Sequence, residues 1–134
     1  MNRRLMLLVL PFFVFFFSCH KSEDNNNSNT NISQGTWKVS LFTDSGNDET
    51  SDFSGYSFTF ASGGVLTAQK GAVSQAGSWG HGSDFNIDLG VKSDNNKPLG
   101  ELTDNWKIIS ITSSEIRLTD DNASSGELLT FTKN

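Results

Sequence analysis

Residues 85–89 read FNIDL, in which apolar and polar residues alternate. In an extended chain Phe85, Ile87 and Leu89 fall on one face, and the polar residues between them fall on the other. Residues 56–60, YSFTF, repeat the same alternation. A period of two with one apolar face is typical of β-strands that cover a core.

The alternation recurs along the chain in short segments separated by clusters of Gly, Asn, Asp and Ser. It predicts eight strands, over residues 36–42, 55–61, 65–69, 74–80, 85–90, 106–112, 115–119 and 127–132. Residues 61–64 and 112–115 are short enough to be hairpin connections. No window shows a helical period, so we expect an all-β domain.

Eight short strands, each with one apolar face, must close or stack to bury that face. Closure into a barrel also removes the exposed strand edges to which other chains could add. We therefore expect a small antiparallel up-and-down barrel of about eight strands, and a two-sheet β-sandwich is the alternative.

Three tryptophans lie near the ends of predicted strands. Trp37 ends the triplet GTW, Trp79 ends the similar triplet GSW, and Trp106 opens the segment WKIISIT. The order GTWKVS, YSFTF, GGVL, GSW, FNIDL, WKIISIT, EIRLT and LLTFTK resembles the lipocalin-like domains of lipoproteins from Bacteroidetes-type bacteria, over about residues 35–133. The resemblance implies a lipocalin-like barrel in which Trp37 closes one end. In lipocalins that tryptophan stacks under an arginine from near the last strand, whereas Arg117 lies on the penultimate predicted strand.

The first residues have a different composition. Arg3 and Arg4 precede an apolar run at residues 5–17, and a Ser–Cys pair follows it. A charged start and an apolar run of this length are typical of a secretory signal, and the run is short for a transmembrane helix. The stretch resembles the lipobox of bacterial lipoproteins, in which the cysteine becomes the lipidated first residue. We expect a lipoprotein signal peptide over residues 1–18 and a lipid anchor at Cys19. The alternatives are a retained amphipathic or membrane helix and a free thiol at Cys19.

The segment after the cysteine is polar. Residues 20–34 contain one aliphatic residue, Ile32, which is too little to offset the entropy of ordering the segment. We expect residues 19–34 to be a lipidated flexible tether and residues 35–134 to be the lipocalin-like barrel domain. Residues 21–24 are similar to the acidic segment that directs some lipoproteins of these bacteria to the cell surface. We expect an outer-membrane, lipid-anchored protein exposed at the surface, or, as the alternative, one on the inner face.

Charge and side-chain chemistry argue against several function classes. The ten basic residues include Arg3 and Arg4, so cleavage after residue 18 leaves eight against 15 acidic residues, a formal charge of −7. This balance, with scattered basic residues, argues against a nucleic-acid partner. His81 is the single histidine of the predicted domain, in a Gly-rich turn, without a nucleophile–base arrangement or enough metal ligands. We expect a protein that is not an enzyme and has no cofactor and no metal site.

We expect the barrel to bind rather than to catalyse. A small hydrophobic or amphipathic ligand inside the barrel, held near the membrane by the tether, is the first hypothesis. An eight-stranded barrel either is filled by side chains or holds one small ligand. The predicted cavity lining is the set of large inward-facing residues Trp37, Tyr56, Phe58, Phe60, Trp79, Phe85, Ile87, Trp106 and Ile108. The alternative is a filled barrel that acts through its surface, as an accessory or interaction module for a protein or glycan, or as an enzyme inhibitor.

Overall fold

The computed structural model describes residues 31–122 and 124–134. The strands of this part are β1 (Trp37–Asp44), β2 (Asn47–Asp48), β3 (Ser57–Phe60), β4 (Val65–Lys70), β5 (Val73–His81), β6 (Asp84–Asp88), β7 (Asp104–Ile111), β8 (Glu115–Thr119) and β9 (Leu128–Lys133). Short 3₁₀ helices lie at Thr50–Phe53, Asp94–Asn96 and Leu99–Leu102. Within these described ranges, no helix is long and apolar enough to cross a membrane. The predicted signal peptide at residues 1–18, the anchor Cys19 and the tether up to residue 30 lie outside the described residues.

The strands form a closed antiparallel barrel. Neighbours pair in the order β1-β3-β4-β5-β6-β7-β8-β9, and β9 pairs with β1 to complete a circle of eight strands. β2 has two residues and extends the end of β1, where Thr43 pairs with Asp48. Each of the eight predicted segments overlaps one strand of the circle. The prediction of an all-β, up-and-down barrel of eight strands is confirmed, and the sandwich alternative is wrong.

β1 is paired unevenly on its two sides. It pairs with β9 along almost its whole length, but its register with β3 contains a single pair, Trp37↔Phe58. The 3₁₀ helix Thr50–Phe53 covers the rest of this seam, where the ring of Phe53 meets the ring of Phe42 edge to face at 5.2 Å between centroids. The Glu49 N–H also donates to the Phe42 carbonyl oxygen, and the Phe42 N–H donates to Thr50 Oγ1, both at 2.9 Å. Ring packing and these two hydrogen bonds therefore close the barrel here in place of a full backbone ladder.

Apolar side chains fill the barrel around Phe60. Its ring lies near-perpendicular to those of Trp79, Phe85 and Phe131, at centroid distances of 5.4, 5.7 and 5.3 Å. Edge-to-face contacts of this kind are a favoured arrangement of aromatic rings. The same core contains the buried residues Trp37, Val39, Phe42, Phe58, Leu66, Ala68, Ile87, Leu89, Trp106, Ile116, Leu118 and Leu129.

A buried indole closes each end of the barrel. Trp37 Nε1–H donates to the carbonyl oxygen of Ile32, and Trp106 Nε1–H donates to that of Leu102, both at 2.9 Å. Trp37 therefore lies where the lipocalin resemblance implied. Its ring is covered by Lys133, whose Nζ lies 4.9 Å from the ring centre. The last strand thus supplies a lysine where the resemblance implied an arginine.

The segment before β1 packs onto the barrel. Ile32 is fully buried in the core, and Lys133 Nζ donates to the carbonyl oxygen of Asn31 at 3.1 Å. The structure therefore differs from the expectation of a flexible tether over residues 31–34. The physical reason is that its one aliphatic side chain enters the core next to Trp37, which offsets the cost of ordering these residues.

The two ends of the barrel are built from different loops. The end at Trp37, called the mouth end, consists of residues 31–36 and the turns at 61–64, 82–83 and 112–114. The opposite end, called the acidic end, consists of the loops at 45–56, 71–72, 89–103, 120–122 and 124–127. Short hairpin turns thus border the mouth end, and most of the long loops lie at the acidic end.

Candidate ligand site at the mouth of the barrel

A pocket of about 350 Å³, called the mouth pocket, opens at the mouth end. Three segments line it: Ser33 and Gln34 before β1, Ser62 and Gly64 between β3 and β4, and Trp79, Gly80 and His81 at the end of β5. Its volume is at the lower end of the range for small-molecule pockets, about 300–1,000 Å³. The pocket therefore has room for one small ligand.

Trp79 forms the apolar wall of the mouth pocket. The ring of Phe85 stacks on its indole with centroids 5.8 Å apart, and Phe60 meets it edge to face at 5.4 Å. Its Nε1–H donates to the carbonyl oxygen of Ala61 at 2.8 Å. The side chain is nevertheless only half-buried. The indole is thus held in one orientation by the core, with part of its surface open to the pocket.

The turn between β3 and β4 brings its backbone next to β5. The Trp79 N–H donates to the carbonyl oxygen of Gly64 at 3.0 Å. Gly64 has a φ of +89°, in the left-handed region that glycine adopts at no steric cost. A side chain at this position would be strained whatever the space around it, so glycine permits the turn that brings this backbone next to Trp79.

His81 supplies an imidazole to the same pocket. It is the last residue of β5, two positions after Trp79, so the two side chains share one face of the strand. The imidazole lies 6.1 Å from the ring of Phe85 between centroids. Burial lowers the pKa of His81 below its ordinary value, which leaves the ring uncharged at neutral pH. The seven lining residues therefore present hydroxyl, amide, imidazole and indole groups but no formal charge.

The structure places the nine predicted lining residues in two groups. Six are buried in the core, namely Trp37, Phe58, Phe60, Phe85, Ile87 and Trp106. Three are half-buried and pack against that core, namely Tyr56, Trp79 and Ile108. Of the nine, Trp79 alone lines the mouth pocket. The buried rings pack against one another, because edge-to-face contacts bring them together around Phe60, and we therefore place the candidate site at the mouth.

The sequence did not indicate the polar part of the lining. His81 was expected in a solvated turn, but β5 continues through it, and its spacing of two from Trp79 was the signal that could have placed it. Ser33 and Gln34 belong to the segment expected to be a tether. Ser62 lies in a hairpin turn, where serine is common for local reasons, and its sequence context carries no sign of a ligand.

The acidic end holds a second group of polar side chains. Two sets of three carboxylates, each with oxygen atoms within 4.8 Å of one another, are Asp104, Asp120 and Glu127, and Asp44, Glu49 and Glu101. Burial raises the pKa of Glu127 to about 7; Asp120 and Asp44 add to the rise, and Lys92 opposes it. Each set joins residues that are distant in the sequence, since Asp104 begins β7 whereas Asp120 and Glu127 follow β8, so the sets exist only in the folded chain. The expectation of no metal site stays a prediction.

Comparisons with known proteins address the fold. No protein-family model matches the sequence, and no curated protein matches it. A DUF4847 family protein from Bacteroides vulgatus is 16% identical, with a TM-score of 0.56 over 77% of this chain and 94% of that one. A lipocalin-like protein from Bacteroides uniformis is 21% identical, with a TM-score of 0.55 over 77% of this chain and 99% of that one. At these identities the likeness concerns the fold alone, and it shows that the closed eight-stranded barrel is lipocalin-like.

Proposed function

We propose that this protein is an outer-membrane lipoprotein, anchored through lipidated Cys19, whose barrel binds a small amphipathic ligand in the mouth pocket. The observation that carries the proposal is the exposed part of Trp79, held between a packed core and a rim of uncharged polar side chains. Small-molecule sites typically combine an apolar wall with a few polar groups in this way. The proposal assigns no catalytic role to His81 and requires no cofactor.

The wall of the pocket is preformed, which favours binding. The indole of Trp79 is oriented by two ring contacts and one hydrogen bond. Little side-chain entropy remains to be lost when a ligand contacts it. Covering the exposed indole also removes apolar surface from water, at about 25 cal/mol per Å². The entropy lost in ordering the Trp79 side chain therefore offsets little of the free energy gained by burying its apolar surface.

A titration tests whether the mouth pocket is the binding site. The chain of residues 19–134, carrying Cys19→Ser in place of the lipid, is titrated with retinol, dodecanol, palmitate, haem, a bile acid and neutral sugars while tryptophan emission is recorded. Trp37 and Trp106 are fully buried, so a ligand at the mouth changes the emission of Trp79. Trp79→Phe abolishes the saturable change. A change that persists in Trp79→Phe places the ligand elsewhere and contradicts the proposal.

The lipid anchor is supported by the position of the single cysteine, directly after the apolar run. Each acyl methylene buried in a bilayer contributes about 0.8 kcal/mol, so one chain binds reversibly and two or more hold firmly. We expect Cys19→Ala to abolish incorporation of labelled palmitate and to shift the protein from the membrane to the soluble fraction or to leave it unprocessed. Ser22→Ala is the control and stays acylated. An unmodified Cys19 thiol in the native protein, detected by mass spectrometry, contradicts the anchor.

The location on the membrane has a separate test. Surface display predicts that protease added to intact cells removes the barrel domain, while a periplasmic control protein remains whole. Protection in intact cells combined with cleavage after outer-membrane disruption supports the inner face instead. Either result leaves the ligand proposal standing, because that proposal depends on the mouth pocket alone.

A surface interaction module for a protein or glycan is the alternative function. The filled interior around Phe60 favours it, since a barrel without an internal cavity has only its ends and outer face for binding. The concentration of carboxylates at the acidic end offers a docking surface with a defined charge. A partner whose binding is lost in Asp120→Asn with Glu127→Gln, and kept in Trp79→Phe, supports this alternative over the mouth ligand.

A further inference from the structure

We infer that the mouth pocket binds an uncharged sugar residue, an inference that rests on the proposed function and names the ligand class of that site. Three properties of the lining carry it: the absence of charge among its seven residues, the half-buried indole of Trp79, and the mixed donor and acceptor groups around it.

The uncharged lining disfavours ionic ligands. A carboxylate or phosphate entering the pocket loses part of its hydration shell, and the lining offers no lysine or arginine to compensate. Transfer of an unpaired charge out of water is costly, whereas a neutral hydroxyl needs only one hydrogen-bond partner. Burial lowers the pKa of the His81 imidazole, so its neutral form predominates at neutral pH. Fatty acids, bile acids and sugar acids are therefore poorer ligands than neutral compounds of similar size.

The indole favours a ring with C–H bonds on one face. Phe85 stacks against Trp79 and Phe60 meets it edge-on, so the core covers part of the indole, and the half-buried side chain contributes to the wall of the mouth pocket. The face of an aromatic ring is electron-rich and attracts hydrogen atoms that carry partial positive charge. A sugar ring presents a row of such C–H bonds on one side and hydroxyl groups around its edge, which suits an indole wall with a polar rim.

The polar rim disfavours a purely apolar ligand. The hydroxyl of Ser62 and the amide of Gln34 each offer both donors and acceptors, and both residues are exposed at the rim. An alkyl chain lying against them would displace water without replacing its hydrogen bonds. Sugar hydroxyls donate and accept, so they can replace that water. A volume of about 350 Å³ fits one or two sugar rings better than a long acyl chain.

Indole N–H signals in ¹⁵N-resolved NMR spectra test this inference directly. The three tryptophans give three signals, and the one that disappears in Trp79→Phe belongs to the mouth pocket. The chain of residues 19–134 with Cys19→Ser is titrated with methyl glucoside, methyl galactoside, methyl mannoside, N-acetylglucosamine and lactose. Glucuronate and galacturonate serve as charged counterparts, and retinol and dodecanol serve as apolar ones.

We expect at least one neutral sugar to shift the Trp79 indole signal saturably, with its uronate counterpart binding about tenfold more weakly or not at all. Failure of every neutral sugar, or equal binding of the uronate, overturns the inference. A saturable shift with retinol or dodecanol alone overturns it while the proposed function stands. No shift with any compound in the panel contradicts both.

Two variants separate sugar recognition from loss of the fold. Ser62→Ala removes a rim hydroxyl and weakens sugar binding by about threefold to tenfold, whereas Ser113→Ala, in another exposed turn of the same end, leaves it unchanged. Trp79→Phe keeps an aromatic ring of smaller area and weakens binding about tenfold, measured by ligand-observed saturation transfer. Unshifted signals of Trp37 and Trp106 show that each variant is folded. If Ser62→Ala and Trp79→Phe both bind the sugar as tightly as the unchanged chain does, the assignment of the sugar to the mouth pocket is contradicted.

Discussion

The two ends of the barrel are closed in the same way, yet they differ in their surface chemistry. At each end a fully buried indole donates to a carbonyl of a capping segment, Trp37 to Ile32 and Trp106 to Leu102. The mouth end then presents an uncharged pocket. The acidic end gathers the carboxylates of Asp44, Asp48, Glu49, Asp52, Asp94, Glu101, Asp104, Asp120, Asp121 and Glu127. The residues that close the two ends are therefore similar, whereas the residues that set the surface charge of each end differ.

The charges of the acidic end also affect the stability of the fold. Lys92 Nζ lies 2.6 Å from a carboxylate oxygen of Asp104, and Lys97 Nζ lies 3.3 Å from one of Glu101. These pairs neutralise only part of the acidic end, and like charges in the remainder repel one another. Stability should therefore depend on pH through the acidic end, while ligand binding depends on the mouth end.

The largest expected effect concerns the feature that both ends share, a buried tryptophan that closes the barrel. Trp37→Ala and Trp106→Ala each remove a fully buried indole and its hydrogen bond, and we expect each to lower the free energy of unfolding by about 3–5 kcal/mol. Urea denaturation followed by circular dichroism measures both. Ile109→Ala, at a half-exposed position of β7, is the control and costs much less. A cost below about 1 kcal/mol for either tryptophan would show that its end is closed by other contacts.

Much of the barrel could be predicted because its strands alternate cleanly. FNIDL at residues 85–89 places Phe85, Ile87 and Leu89 in the core, and all three are buried. Trp37 lies at a closed end, as its resemblance to the lipocalin start implied. The lysine over its ring could not be predicted. Lys133 reaches Trp37 through the pairing of β9 with β1, which is a contact between the last and first strands of the chain.

The second effect tests the acidic end. The pKa of Glu127 is about 7 in the folded chain and near 4.5 when unfolded, so the folded state binds more protons between these values. Protonation of Glu127 therefore contributes to the free energy of unfolding at pH 5. This contribution declines as pH rises through 7 and is lost above that. Because solvent screens this half-buried group, we expect Glu127→Gln to stabilise the protein by about 1 kcal/mol at pH 8 relative to pH 5.

Denaturation midpoints at pH 5 and pH 8 measure this difference. Glu115→Gln, on β8 near the mouth end, is the matched control and leaves the pH dependence of the unchanged protein in place. If Glu127→Gln stabilises equally at both pH values, ionisation of Glu127 is not what opposes folding. If Glu115→Gln shows the same pH-dependent gain, the effect belongs to net charge and not to the acidic end.

The candidate site could be predicted only in part, for physical reasons. Trp79 was indicated by its Gly-x-Trp context, but whether it faces a cavity depends on how Phe60 and Phe85 fill the barrel around it. Ring packing is set by contacts between strands that are distant in sequence. Gln34 reaches the mouth because Ile32, the one aliphatic residue of a polar segment, enters the core. A single buried side chain is too weak a signal to recognise from composition.

The smallest expected effect on stability tests the uncharged lining of the mouth pocket. Gln34 is exposed and lines the mouth pocket, so Gln34→Lys should change the free energy of unfolding by no more than about 0.5 kcal/mol. A lysine there would supply the counter-charge that the lining lacks, and glucuronate should gain about tenfold in affinity while methyl glucoside changes little. Gln69→Lys, an exposed position on β4 outside the pocket, makes the same change in net charge and serves as the control. NMR titration of the Trp79 indole signal measures both variants. An equal gain in Gln69→Lys would assign the effect to net charge, whereas a gain confined to Gln34→Lys would show that the absence of charge in the lining of the mouth pocket is what selects a neutral ligand.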